Sequence, residues 1–171
     1  MKYKTMIGDD ILRKKVLVCD INLKGHRLEY DLRILKKLSS ENFDLTFFTG
    51  EINQGLENEL KINNIKVIKG NSIGNFFSKL KFMLKLRKQI IKERYEEVLL
   101  LSLDPLIATM LILIGLKSVT IHATQHWIPN KEIKYKILNI MTKLSKFNIV
   151  VHENFIKKEF TERGFKKESI K

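Results

Sequence analysis

Short apolar runs alternate with longer amphipathic segments along nearly the whole chain, and this alternation narrows the possible folds more than any other feature. The first such unit is KVLVCDINLKGHRLEYDLRILKKL, residues 15–38. Val16, Leu17, Val18 and Cys19 run without polar interruption, as in a strand covered on both faces. Leu28, Leu32, Leu35 and Leu38 then recur at helical spacing, so one stripe can pack back on that strand. Between them lies a loop with Gly25. Its backbone can approach a ligand closely, and the free N–H groups of the helix start favour an anion.

The unit then repeats. FDLTFFTG at 43–50 and IKVIKG at 65–70 read as strands closed by glycine, with a polar helix around Gln54–Asn63 between them. After a loop at Asn71–Asn75, NFFSKLKFMLKLRKQIIKERY is the longest periodic segment. Phe77, Leu80, Leu84 and Ile91 make one stripe and Phe76, Met83 and Ile90 a second. EEVLLLS at 96–102 is a fourth strand, followed by the helix DPLIATMLILIGL and a fifth strand at Ser118–Ile121 that ends in His122. KEIKYKILNIMTKLSKF is a helix, NIVVH a sixth strand, and ENFIKKEFTERG a helix capped by Gly164. The order predicts an α/β, Rossmann-like three-layer domain with a mainly parallel sheet of about six strands, right-handed crossovers and helices on both faces. Residues 1–14 form a basic leader, and the domain covers 15–171.

With 171 residues and 44% hydrophobic content, the chain can bury one core but not two full α/β domains. The formal net charge of +13 suggests an anionic partner, but Lys, Ile and Asn are all abundant, as AT-rich coding would produce. Charge is therefore informative only where it clusters. It does so from Lys79 to Arg94, where Lys79, Lys81, Lys85, Arg87, Lys88, Lys92 and Arg94 face a single acid, Glu93. Beside a broad apolar surface, this suits an interfacial helix that meets an anionic membrane through Lys81, Lys85, Arg87 and Lys88. A core helix with a solvated basic face is the alternative. Nucleic-acid binding is not expected, because no recognition helix, zinc pattern or aromatic ribonucleoprotein motif accompanies the charge.

Cys19 is the single cysteine and is predicted buried, which excludes a disulfide framework and suits a reducing compartment. MKYKTMIGDDILRKK has neither the apolar core nor the cleavage site of a signal peptide. Val98–Leu116 has the length of a membrane span, but Asp104 as N-cap and Pro105 in the first helical turn divide it into a strand and a helix.

In sheets of this class ligands sit beyond the carboxyl ends of the strands, which marks Asp20–His26, Ser102–Pro105, His122–Trp127 and His152–Asn154. His122 and His126 are four apart, but they follow a strand and lack a metalloprotease glutamate, so no metal site is expected. A dinucleotide enzyme is disfavoured: GxGxxG is absent and no acid closes the second strand.

LKGH at 23–26, VTIH at 119–122 and NIVVHENFIKKEFTERGFKKESIK at 148–171 together resemble the N-terminal domain of a GT-B glycosyltransferase. The family is the large retaining one that builds glycolipids and bacterial surface polysaccharides. The last segment is the most specific, with a strand, a short basic helix, a glycine and the approach to a further strand. The chain departs from the pattern in having Gly25 alone where many members pair glycines, and His152–Glu153 where many have serine.

The resemblance implies one half of a GT-B architecture. It implies that Gly25 and His26 approach the donor diphosphate, stabilising the leaving group, and that His122 lies at the transferred sugar as a catalytic residue. His126, Trp127 and Glu153 would line the acceptor side. No cofactor or metal is implied. The donor, a nucleotide diphosphate sugar, would be held mainly by a C-terminal donor domain, in cis or in trans, because the sequence reaches Lys171 where the linking strand should begin. The expected activity is hexose transfer to a lipid-linked or polysaccharide acceptor by a cytoplasmic enzyme peripheral on the inner face of the cell membrane, the chain being inactive alone. The alternative is a non-catalytic recruitment or docking subunit for a separate donor domain.

Overall fold

The computed structural model describes residues 13–20, 26–41, 43–70, 74–101, 116, 118–125, 132–144 and 146–171, the side chains of 26–28 and 144 excepted. Six strands, β1 (Lys15–Asp20), β2 (Asp44–Thr49), β3 (Lys66–Lys69), β4 (Glu97–Leu100), β5 (Thr120–Gln125) and β6 (Phe147–Val151), form one sheet in the order β3-β2-β1-β4-β5-β6. Every pairing is parallel, as the alternation predicts. The described helices are α1 (His26–Ser40), α2 (Gln54–Ile62), α3 (Phe76–Glu93), α4 (Glu132–Leu144) and α5 (Asn154–Glu162).

Register explains how the helices divide between the faces. Leu17 pairs with Val98 and Cys19 with Leu100, so these side chains share a face. On that face α3 buries Phe82, Met83, Leu86 and Ile90, α4 buries Tyr135, Leu138 and Met141, and α5 buries Ile156 and Phe160. The neighbours in sequence, Val16 and Val18, point the other way, where Leu35 of α1 and Leu56 and Leu60 of α2 cover them. Because both faces of β1 are covered, its apolar run shows no alternation.

Local chemistry sets the helix ends. The Asn53 side chain accepts the Leu56 N–H at 2.8 Å to start α2. Asn75 and Ser78 cap α3 reciprocally, the Ser78 N–H donating to Asn75 at 2.9 Å and the Asn75 N–H to Ser78 at 3.0 Å. Gly164, at φ +80, follows α5 in the left-handed conformation that glycine adopts most easily.

The structure departs from the sequence reading at the fifth strand. β5 runs past Ile121 to Gln125, because Thr124 and Gln125 are buried and pair with Val150 and Val151 of β6. His122 therefore lies inside the strand rather than at its end. On α3 the two stripes part: Met83 and Ile90 join the core, whereas Phe77, Leu84 and Ile91 are exposed.

Ile170 bridges Ile149 in parallel, and the Val151 N–H donates to the Lys171 carbonyl at 3.1 Å, so Ile170 and Lys171 lie alongside β6. Most of the leader, and Asp104 with the helix expected after it, lie outside the described residues. Among those described, no helix is long and apolar enough to cross a membrane.

Candidate functional site

The two edges of the sheet differ in kind. At the amino ends Lys15, Asp44 and Lys66 are exposed, as charged residues usually are. At the carboxyl ends polar side chains are buried: Asp20 of β1 is 1% exposed, Thr49 of β2 0%, and Thr124 and Gln125 of β5 3% and 5%. Burying such groups costs free energy, so their gathering at one edge marks it as the place where the fold serves something other than packing.

α1 begins at that edge, its first residue His26 following the Gly25 loop. One turn further, Asp31 is buried and Tyr30 half-buried. Burial, with the Asp20 and Asp31 carboxylates adding to it, pushes the Cys19 thiol well above its ordinary pKa, which leaves Cys19 neutral and unreactive. Burial raises the Tyr30 phenol too, and the Asp31 charge adds to the shift. The Tyr30 hydroxyl hydrogen-bonds His152 Nε2 at 2.7 Å, with the rings edge to face at 5.6 Å. His152 immediately follows β6, so this contact ties α1 to the far side of the sheet.

His122 occupies a different place. It pairs in register with Leu99 and Asn148, half-buried on the face that carries α1 and α2. Burial lowers its pKa; Glu97 opposes the shift, and Lys171 and Lys14 reinforce it. Glu97 and Lys14, ion-paired at 2.6 Å, stand at the amino ends of β4 and β1, whereas Lys171 lies alongside β6. Burial therefore favours its neutral imidazole.

Glu153 is exposed beside His152 at the start of α5, where its carbonyl accepts the Ile156 N–H at 3.1 Å and its side chain makes no capping hydrogen bond. Gly25, His126 and Trp127 lie outside the described residues, as does the side chain of His26. Lys81, Lys85 and Lys88 are exposed on α3 and Arg87 is half-buried. Lys85 donates to the Lys69 carbonyl at 2.8 Å.

Sequence reasoning passed over Tyr30, Asp31 and Thr49. A signal existed for Asp31, a carboxylate set between Leu28 and Leu35 on the inward stripe of an amphipathic helix. For Tyr30 there was none, because its partner is 122 residues away.

This is an open, doubly wound α/β domain with a polar carboxyl edge. No protein-family model matches the chain, and no curated protein does. Solved structures do match. A glycosyltransferase from Rickettsia africae ESF-5 superposes with a TM-score of 0.71 at 21% identity, over 94% of this chain and 42% of that one. Anabaena Alr3699/HepE in complex with UDP and glucose gives 0.62 at 12% identity, over 93% and 43%. UDP-N-acetylglucosamine 2-epimerase from Rickettsia bellii gives 0.62 at 9% identity, over 92% and 44%. The chain thus has the fold of one half of a GT-B glycosyltransferase and spans less than half the length of these structures.

Proposed function

We propose that this chain is the acceptor-side half of a sugar transferase that moves a hexose from a nucleotide diphosphate sugar to a lipid-linked or polysaccharide acceptor. The observation that carries the reading is the match of nearly the whole chain to 42% of a glycosyltransferase at a TM-score of 0.71. The polar carboxyl edge supports it, because ligands of doubly wound sheets bind there. UDP-N-acetylglucosamine 2-epimerases share the fold, so the choice of transfer rests on the glycosyltransferase match together with the LKGH and VTIH segments.

On this reading the backbone at Gly25 and His26 supports the donor diphosphate, while His126, Trp127 and Glu153 shape the acceptor side. The resemblance assigns the transferred sugar to His122, which sits inside β5, and Gln125, three residues further, is where that strand reaches the ligand edge. The donor sugar is held mainly by a second domain, in cis or in trans, and the enzyme works in the cytoplasm at the inner face of the cell membrane. The test is an assay of this chain with UDP-, GDP- and dTDP-hexoses. The expected result is no turnover by the chain alone; measurable transfer without a second polypeptide overturns the claim that a donor half is required.

A further inference from the structure

Between the end of α3 and the amino ends of β4 and β5 the molecule holds a cavity of about 420 Å³. Small organic ligands occupy spaces of this order. Ile90, Leu116 and Val119, all buried, give it an apolar floor, and Arg94 and Glu96, both exposed, stand at its rim.

Three polar groups along this cavity have nothing within the protein to meet. Tyr95 is 4% exposed and lines the cavity, yet among the described residues its hydroxyl has no hydrogen-bond partner. A buried phenol in that state costs free energy until something bonds it, and the cavity is the space it borders. Arg94 forms no ion pair among the described residues, and Glu96 acts on Lys14 only from a distance. Arg94 also closes α3 in the left-handed conformation, at φ 55, where helices favour glycine. The fold thus keeps a cationic side chain at a turn that would form more easily without one.

We infer that this cavity binds a small amphipathic zwitterion, of which an apolar α-amino acid is the simplest. Its apolar part rests on Ile90, Leu116 and Val119, its anionic group meets Arg94, its cationic group meets Glu96, and the Tyr95 hydroxyl completes the set with a hydrogen bond. The opposite charges at the rim select the class: an amphiphile bearing only an anion is repelled by Glu96, and one bearing only a cation by Arg94. The cavity lies at the other end of the strands from Asp20, Thr49 and Gln125, so the inference does not depend on the sugar-transfer reading.

The test is titration of the nitrogen-15-labelled chain with L-phenylalanine and L-leucine, followed by amide NMR shifts. 3-Phenylpropionate and 2-phenylethylamine, which carry one charge each, are the comparison probes. Saturable shifts centred on Tyr95, Glu96 and Val119 are expected with the amino acids, and binding about fivefold or more weaker with either comparison probe. Arg94→Gln and Glu96→Gln should each weaken L-phenylalanine binding about tenfold, and Tyr95→Phe about threefold. Arg94 and Glu96 are exposed, so circular dichroism and the melting temperature of their variants are expected to match those of the parent. The absence of saturable shifts, shifts centred elsewhere, or undiminished binding by both charge variants overturns the site. Weakening in only one of the two charge variants, or a singly charged probe that binds as tightly as L-phenylalanine, overturns the zwitterion.

Discussion

The Tyr30 hydroxyl and His152 Nε2 lie 2.7 Å apart, joining the second turn of α1 to the residue that follows β6. Tyr30→Phe keeps the edge-to-face ring contact and removes the hydrogen bond. Because His152 is exposed to competing water, the expected loss is about 0.5–1 kcal/mol, and His152→Ala, which removes both contacts, should cost more. Urea unfolding midpoints check this. An unchanged midpoint in Tyr30→Phe together with a clear drop in His152→Ala would assign the join to the rings rather than to the hydrogen bond.

Gly70 has no room for a side chain. A Cβ there would stand 2.3 Å from Phe82 Cδ2, and Phe82 is wholly buried against Phe48. Gly70→Ala must displace an aromatic ring of the core and should destabilise the fold by about 1–3 kcal/mol. Adding Phe82→Leu should make the second substitution less costly in the Gly70→Ala background than in the parent. Thermal unfolding of the two single variants and the double variant measures this coupling.

His122 should give the fold a dependence on pH. Its folded pKa lies below the ordinary value of about 6.5 because burial disfavours the imidazolium, so the folded chain binds fewer protons than the unfolded one. The stabilisation is complete above the unfolded value and is lost as pH falls through the folded one. His122→Gln should therefore reduce the drop in the urea midpoint between about pH 7 and about pH 5. An identical drop in the variant would assign the acid sensitivity to other groups.

Much of the architecture was legible in the residues themselves. The uninterrupted Val16–Cys19 run and the glycines closing the next two strands pointed to parallel strands joined by helices. The boundaries of β2, α2 and β6 agree with that reading to within a residue or two at each end. Such signals are local: apolar period, cap chemistry and turn residues act over a few positions.

The site was only partly legible. The rule that ligands meet a parallel sheet at its carboxyl edge singled out Asp20 and His152, and both lie there. The end of β5 was misjudged because Thr124 and Gln125 look like loop residues and become strand only by pairing with Val150 and Val151.

By itself, then, the sequence determined the class of fold, the alternation of its elements and most of their ends, since these follow from neighbours along the chain. Tertiary structure alone decided that α3 turns Met83 and Ile90 inward and Phe77, Leu84 and Ile91 outward, for both stripes are apolar and only the sheet chooses between them. It also decided that Tyr30 meets His152, a contact that exists because α1 and the end of β6 converge at one edge of the sheet.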